Sequence, residues 1–161
     1  MNDELILAAA RLKKELEKQK LTFSTCESMT CGLIAAAMGE IPGVSAVYAG
    51  GAVTYMTEMK SVLADVSPEH LLKNGAVDPE TARQMCEGIR AKTGTDCAVS
   101  VTGNAGPEAM EGKETGLVYI GLTTGKRTTV HEYHFSGDRA AIRTKTAEQA
   151  LTDMLELLKR D

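Results

Sequence analysis

Asp78-Pro79-Glu80-Thr81-Ala82-Arg83-Gln84-Met85-Cys86-Glu87-Gly88-Ile89-Arg90-Ala91-Lys92-Thr93-Gly94, followed closely by Cys97-Ala98-Val99-Ser100-Val101-Thr102, is the stretch that sets the fold class. Asp78 reads as a helix N-cap, Pro79 suits the first helical position, and Glu80 places a carboxylate in the first turn. The helix should run to about Lys92 and stop at Gly94. Cys97 to Thr102 is then an apolar, β-rich strand, entering a loop from Gly103 to Thr115. A helix feeding a strand within a few residues is the repeating unit of an α/β protein.

The same alternation extends in both directions. Upstream, Asn2 can cap a helix from about Asp3 to Lys20, with Leu5, Ala8, Ala9, Leu12 and Leu16 at helical spacing. Lys13, Lys14, Glu17 and Lys18 fill its solvated face. Leu21 to Cys26 reads as a short strand. A second helix covers about Thr30 to Met38 and ends at Gly39 and the Ile41-Pro42-Gly43 turn. Ala46 to Tyr55 is a further strand, and Thr57 can cap a short helix through about Ala64. Downstream, Leu117–Thr123 and Arg127–Phe135 form a hairpin across Thr124-Gly125-Lys126. Asp138 caps a closing helix through Leu158. The pattern predicts one domain over residues 1–161: a three-layer α-β-α sandwich with a mixed, mostly parallel sheet.

Composition narrows the function classes. The chain has 161 residues, 43% of them hydrophobic, enough for an ordinary core. Its longest apolar run, Gly32 to Met38, is far shorter than the roughly 18 residues of a membrane span. Asp3 and Glu4 do not fit a secretory leader, so a cytoplasmic protein is expected. Lys+Arg number 18 against Asp+Glu 22, a net charge of −4, which argues against a nucleic-acid binder. Cys26, Cys31, Cys86 and Cys97 match no zinc-site spacing and are expected as free thiols, with no metal site.

Ligand sites in open α/β sheets lie where strand ends meet helix starts. Ser28 and Thr30, in Thr25-Cys26-Glu27-Ser28-Met29-Thr30-Cys31-Gly32, sit at such a junction. They can serve an anion or oxyanion beside unpaired backbone N–H groups, or simply cap the helix. Lys60 falls in the first turn of the helix that Thr57 would cap, where the helix dipole disfavours its charge. A neutral lysine can deprotonate a serine, which makes Ser28 and Lys60 a candidate nucleophile and base; a surface lysine on an amphipathic helix is the alternative. Val101-Thr102-Gly103-Asn104-Ala105-Gly106-Pro107 can bring backbone donors to a phosphate or sugar, or be a turn alone. Arg139 and Arg143, four residues apart on the last helix, fit either a phosphate clamp or a helix-start salt-bridge pattern.

Taken in order, these segments resemble one family. Glu27-Ser28-Met29-Thr30-Cys31-Gly32 resembles E-S-C-T-G-G, with Cys31 at the first glycine of the triplet. Gly50-Gly51-Ala52-Val53-Thr54-Tyr55-Met56-Thr57-Glu58-Met59-Lys60 resembles G-G-x-x-x-Y-x-N-x-x-K. Gly75-Ala76-Val77-Asp78 is similar to G-A-V-S, Thr102 to Pro107 to T-G-I-A-G-P, and Gly137-Asp138-Arg139 with Arg143 to G-D-R-x-x-x-R. The set is that of the CinA C-terminal domain family, which includes stand-alone nicotinamide-nucleotide amidases. The resemblance implies hydrolysis of the carboxamide of nicotinamide mononucleotide to nicotinate mononucleotide and ammonia. It implies Ser28 as nucleophile, Lys60 as base and Tyr55 as an assisting hydroxyl. Glu27, Thr30, Gly32, Thr102, Gly103, Arg139 and Arg143 would attend the nucleotide, with no metal or organic cofactor. A homodimer or higher homo-oligomer is expected. The rival reading is a nucleotide-binding or interaction module of the same fold without turnover. Glu108 and Glu111 follow where the family is usually glycine-rich, and two carboxylates there would repel a phosphate unless turned to solvent.

Overall fold

The computed structural model describes residues 1–161. Helix α1 spans Asp3–Gln19, with the Asn2 side chain accepting from the Leu5 N–H as expected of its cap. Its buried stripe is Leu5, Ala9, Leu12 and Leu16, and Lys20 closes it in the left-handed conformation. Strand β1 (Phe23–Glu27) follows, then α2 (Leu33–Gly39), β2 (Tyr48–Val53), α3 (Thr57–Ala64) and α4 (Pro68–Asn74). After these come α5 (Pro79–Thr93), β3 (Cys97–Gly103), β4 (Leu117–Thr123), β5 (Thr128–His134) and α6 (Arg139–Arg160).

The five strands lie in the order β2-β1-β3-β4-β5. β1 runs parallel to both β2 and β3, whereas β4 pairs antiparallel with β3 and β5. Four strands therefore point the same way and β4 alone is reversed. Helices α1, α2 and α6 pack together on one face over a core of 24 buried residues centred on Phe23, Val99, Ile120 and Leu151. Helices α3 and α5 cover the other face through Ala64, Met85 and Ile89, which meet Cys26 and Ala98. This is the three-layer sandwich that the alternation of elements predicts. No helix is long and apolar enough to cross a membrane.

Two helix starts differ from expectation. α2 begins at Leu33 rather than Thr30, because Cys31 (φ +50°) and Gly32 (φ +91°) are both left-handed and cannot continue a right-handed helix. Thr57 is not a cap: Met56 holds the N-cap position of α3 and makes no side-chain cap bond. Helix α4 has no counterpart in the hydropathy pattern; it rests on the Ser67 cap, Pro68 at its start and one buried anchor, Leu71. By contrast, Asp78 and Asp138 cap α5 and α6 through the Thr81 and Ala141 N–H groups.

The distance between α3 and α5 is set by Gly88. A methyl group there would overlap the backbone carbonyl of Ala64 at the end of α3. Helix propensity alone favours alanine over glycine by about 1 kcal/mol. An overlap with rigid backbone costs about 1–3 kcal/mol or more, so the steric term wins. Gly88→Ala should lower Tm in a thermal melt, and since α3 carries Lys60, displace that residue as well. Cys31 gives the opposite expectation. Its left-handed backbone costs an L-residue about 1–2 kcal/mol, and its side chain is exposed. Allowing about 0.5–1 kcal/mol for the extra freedom of glycine in the unfolded chain, Cys31→Gly should stabilise by about 0.5–1 kcal/mol. Chemical denaturation checks it.

Candidate functional site

Three parallel strands end level with one another. Glu27 of β1 is in register with Val53 of β2 and with Val101 of β3. The next residue along each strand, Ser28, Thr54 and Thr102, therefore emerges at one carboxyl edge of the sheet, the usual place for a ligand site in this architecture. Two backbone bonds extend the ladder past β1: the Thr54 N–H donates to Glu27 O at 2.7 Å, and the Ser28 N–H to Val101 O at 3.1 Å.

Helix α3 then turns Lys60 back beneath this edge. Its side chain is fully buried, and Nζ lies 3.0 Å from Ser28 Oγ, 2.6 Å from Thr54 O and 3.3 Å from Tyr55 O. Burial pulls its pKa down from 10.5 to about 8, against weaker opposing contributions from the Cys26, Glu111 and Glu58 side chains. The direction matches the sequence-based expectation, and its largest cause is desolvation by burial. Two of the three partners are carbonyls, which can only accept. A neutral amine gives its two hydrogens to Thr54 O and Tyr55 O, leaving its lone pair for the Ser28 hydroxyl. Cys26 sits behind the pair, its thiol pushed up to about 12 by burial, and so remains protonated.

Glu27 does not face the cavity. It is fully buried, and its carboxylate accepts from the Thr30 hydroxyl (2.7 Å) and from the Ile34 (2.9 Å) and Ala35 (3.0 Å) N–H groups. It thus takes up first-turn donors of α2, which are unavailable to an oxyanion. The unpaired donors lie earlier: the Met29 and Thr30 N–H groups, directly after Ser28, have no partner within the protein. Thr30 and Gly32 also lie outside the cavity wall, Thr30 committed to Glu27 and Gly32 forming the α2 N-cap.

Ser28 opens on a cavity of about 310 Å³. Its walls come from Tyr55 and Thr57, from the Ala76-Val77 turn, from Thr102 through Glu108, and from Met110, Glu111 and Arg139. Thr102 and Gly103 are therefore at the cavity, with the Thr102 hydroxyl donating to Ala76 O at 2.9 Å. Arg139 crosses the cavity, donating to Gly106 O (2.8 Å) and to the Tyr55 hydroxyl (2.6 Å). The Tyr55 hydroxyl is thus joined to Arg139 and makes no hydrogen bond with Ser28 or Lys60. Arg143 is elsewhere: its Nε and Nη2 donate to Met29 O (2.9 Å) and Thr30 O (2.8 Å), and it is absent from the cavity wall.

The two acidic residues of the following loop do line the cavity. Glu111, although exposed, is committed within the protein: its carboxylate accepts from the Ala76 N–H (2.8 Å) and Val77 N–H (2.9 Å). Sequence reasoning missed this clamp and the role of Asn104. The Asn104 amide nitrogen, buried at the base of the loop, donates to Met110 O, Lys113 O and Glu114 O. Cys31 does not narrow the cavity, being absent from its wall.

Comparison with known proteins agrees with this architecture. Residues 7–158 match the model of the CinA C-terminal domain. A CinA-like protein of Endomicrobium trichonymphae is 43% identical over 160 residues, covering 99% of this chain and 36% of that protein. The chain spans about a third of the length of the curated relatives it matches. Among solved structures, the competence/damage inducible protein CihA from Agrobacterium tumefaciens superposes with a TM-score of 0.93 at 36% identity, covering 99% of this chain and 98% of that one. A CinA superfamily protein from Klebsiella pneumoniae 700603 gives 0.95 at 27% identity, with both chains covered in full. The chain belongs to the CinA C-terminal domain family.

Proposed function

We propose that the protein is an amidohydrolase that converts nicotinamide mononucleotide and water to nicotinate mononucleotide and ammonia, with Ser28 as nucleophile and Lys60 as its base. The observation that carries this reading is the buried amine of Lys60, 3.0 Å from Ser28 Oγ at the mouth of the cavity, with its pKa lowered to about 8. An amide resists water until an activated oxygen attacks its carbonyl carbon. A surface lysine would be protonated and unable to accept the serine proton; this one is partly neutral near physiological pH.

The reaction runs in two halves. Ser28 Oγ bonds to the carboxamide carbon while its proton passes to Lys60 Nζ, and the negative charge collects on the former carbonyl oxygen. The Met29 and Thr30 N–H groups receive that charge, an interaction worth about 3–4 kcal/mol per well-placed donor. Lys60 returns the proton to the departing nitrogen, which leaves as ammonia and gives a nicotinoyl ester on Ser28. Water, deprotonated by Lys60, then cleaves the ester and frees the carboxylate. Arg139 retains unused N–H groups beyond those on Gly106 and Tyr55 and is the residue assigned to the phosphate. Tyr55 orients Arg139 in this scheme and transfers no proton.

Binding without turnover is the second reading, favoured by Glu108 and Glu111 in the cavity wall. Purified protein incubated with nicotinamide mononucleotide should release ammonia in the amidase reading, whereas calorimetric binding with no ammonia would select the other. Ser28→Ala should abolish release, a loss of about three orders of magnitude or more; full activity in this variant would remove Ser28 as nucleophile. The base must be neutral, so kcat/KM should fall about tenfold per pH unit below the Lys60 pKa of about 8 and level off above it. A profile flat from pH 6 to 9, or one retained in Lys60→Met, would contradict the role of Lys60.

A further inference from the structure

Arg143 stands four residues after Arg139 on α6, yet it serves a different place. Its guanidinium fork closes on two successive carbonyls, Met29 O at 2.9 Å and Thr30 O at 2.8 Å, in the turn that follows Ser28. That turn has little other internal support. It lies outside any helix or strand, it contains a left-handed Cys31, and its internal backbone bonds run from the Cys31 N–H to Ser28 O and from the Leu33 N–H to Thr30 O, both at 3.0 Å. The Met29 side chain anchors it in the core, and the Thr30 hydroxyl ties it to Glu27. None of these contacts fixes the plane of the peptide between Met29 and Thr30.

Arg143 does fix it. In a trans peptide the N–H points opposite to the C=O. A donor gripping Met29 O therefore directs the Thr30 N–H away from the guanidinium, and that N–H has no partner within the protein. The bond also draws electron density toward the carbonyl oxygen, which strengthens the N–H as a donor. The second arm of the fork, on Thr30 O, holds the next peptide, whose N–H already bonds Ser28 O. Both arms are needed for this, and only a planar guanidinium presents two parallel donors; a lysine supplies a point charge.

We infer that Arg143 is a positioning residue that holds the Thr30 N–H, with its Met29 neighbour, in place for the oxyanion formed when Ser28 attacks. The inference rests on the Ser28 nucleophile of the preceding section. It separates the two arginines of α6: Arg139 attends the ligand in the cavity, and Arg143 attends the backbone that receives charge in the reaction. Arg143 is also absent from the wall of the cavity that Arg139 lines.

The test uses a probe with no nucleotide phosphate. A fluorophosphonate labels an activated serine when Oγ displaces fluoride at phosphorus, its proton passing to Lys60 and the phosphoryl oxygen occupying the oxyanion position. The rate of Ser28 labelling should fall at least about tenfold in Arg143→Lys and Arg143→Ala. Free guanidinium should restore part of it in Arg143→Ala. With nicotinamide mononucleotide as substrate, the loss should appear in kcat, with KM within about threefold of the unmutated protein. Thermal melts identify the variants that remain folded, and Arg143→Lys, which keeps the charge and the aliphatic stem, serves if the alanine variant does not. Labelling of Arg143→Lys at the unmutated rate, or a loss confined to KM, would overturn the positioning role while leaving Ser28 as nucleophile. No labelling of the unmutated protein at or above pH 8 would overturn both.

Discussion

A fully buried lysine is the constraint around which the site is arranged. Taking an ammonium out of water costs several kcal/mol, and the protein meets that cost in two ways. It supplies oxygens to every direction in which Nζ can donate, and it loosens the proton, bringing the pKa down to about 8. Both responses require backbone placed to within a few tenths of an ångström. Thr54 O and Tyr55 O are available because β2 ends level with β1, and Lys60 reaches them because Gly88 lets α3 settle against α5.

Much of the remaining polarity near Ser28 is spent on holding backbone. Glu27 occupies the first-turn donors of α2, Glu111 holds the Ala76-Val77 turn, Thr102 holds the Ala76 carbonyl, and Asn104 gathers three carbonyls at the base of the 105–115 loop. The result is a cavity whose walls come from five separated segments yet are tied to one another directly. The donors left free at the cavity include the two amides after Ser28 and the outer edge of Arg139. A net charge of −4 is compatible with an anionic ligand on these terms, because a few placed donors matter more than the overall balance. The three cations Lys60, Arg139 and Arg143 do not merge into one positive cleft, since Arg143 is bound to the turn that follows Ser28.

The fold was legible wherever a local signal repeated itself. The Asn2, Asp78 and Asp138 caps, the Leu5-to-Leu16 stripe and the β4–β5 hairpin each name their own element, and all five strands lie where periodicity places them to within a few residues. Helix α4 was not legible, because a seven-residue element with one buried anchor has too little amphipathic pattern to register. At the site, the Ser28–Lys60 meeting was readable as a possibility from residue type and motif spacing. Its cause was not, since burial depends on what α5 and β2 place around the amine. Glu27, Thr30 and Arg143 carry polar side chains in ligand-like positions in the sequence, and only the hydrogen bonds of the folded chain reveal that Glu27 and Arg143 hold backbone and that Thr30 holds Glu27. A sequence records which donors exist but not which are already taken.

The most direct measurement of the central interaction is the protonation state of Lys60 itself. In protein labelled with carbon-13 at lysine, the Lys60 Cε resonance can be identified by its loss in Lys60→Met and followed from pH 6 to 11. A titration midpoint near 8 is expected of an amine held among Ser28, Thr54 and Tyr55. A midpoint at the ordinary lysine value of 10.5 would mean that the amine is solvated and charged, and would contradict the proposal that it is the base of Ser28.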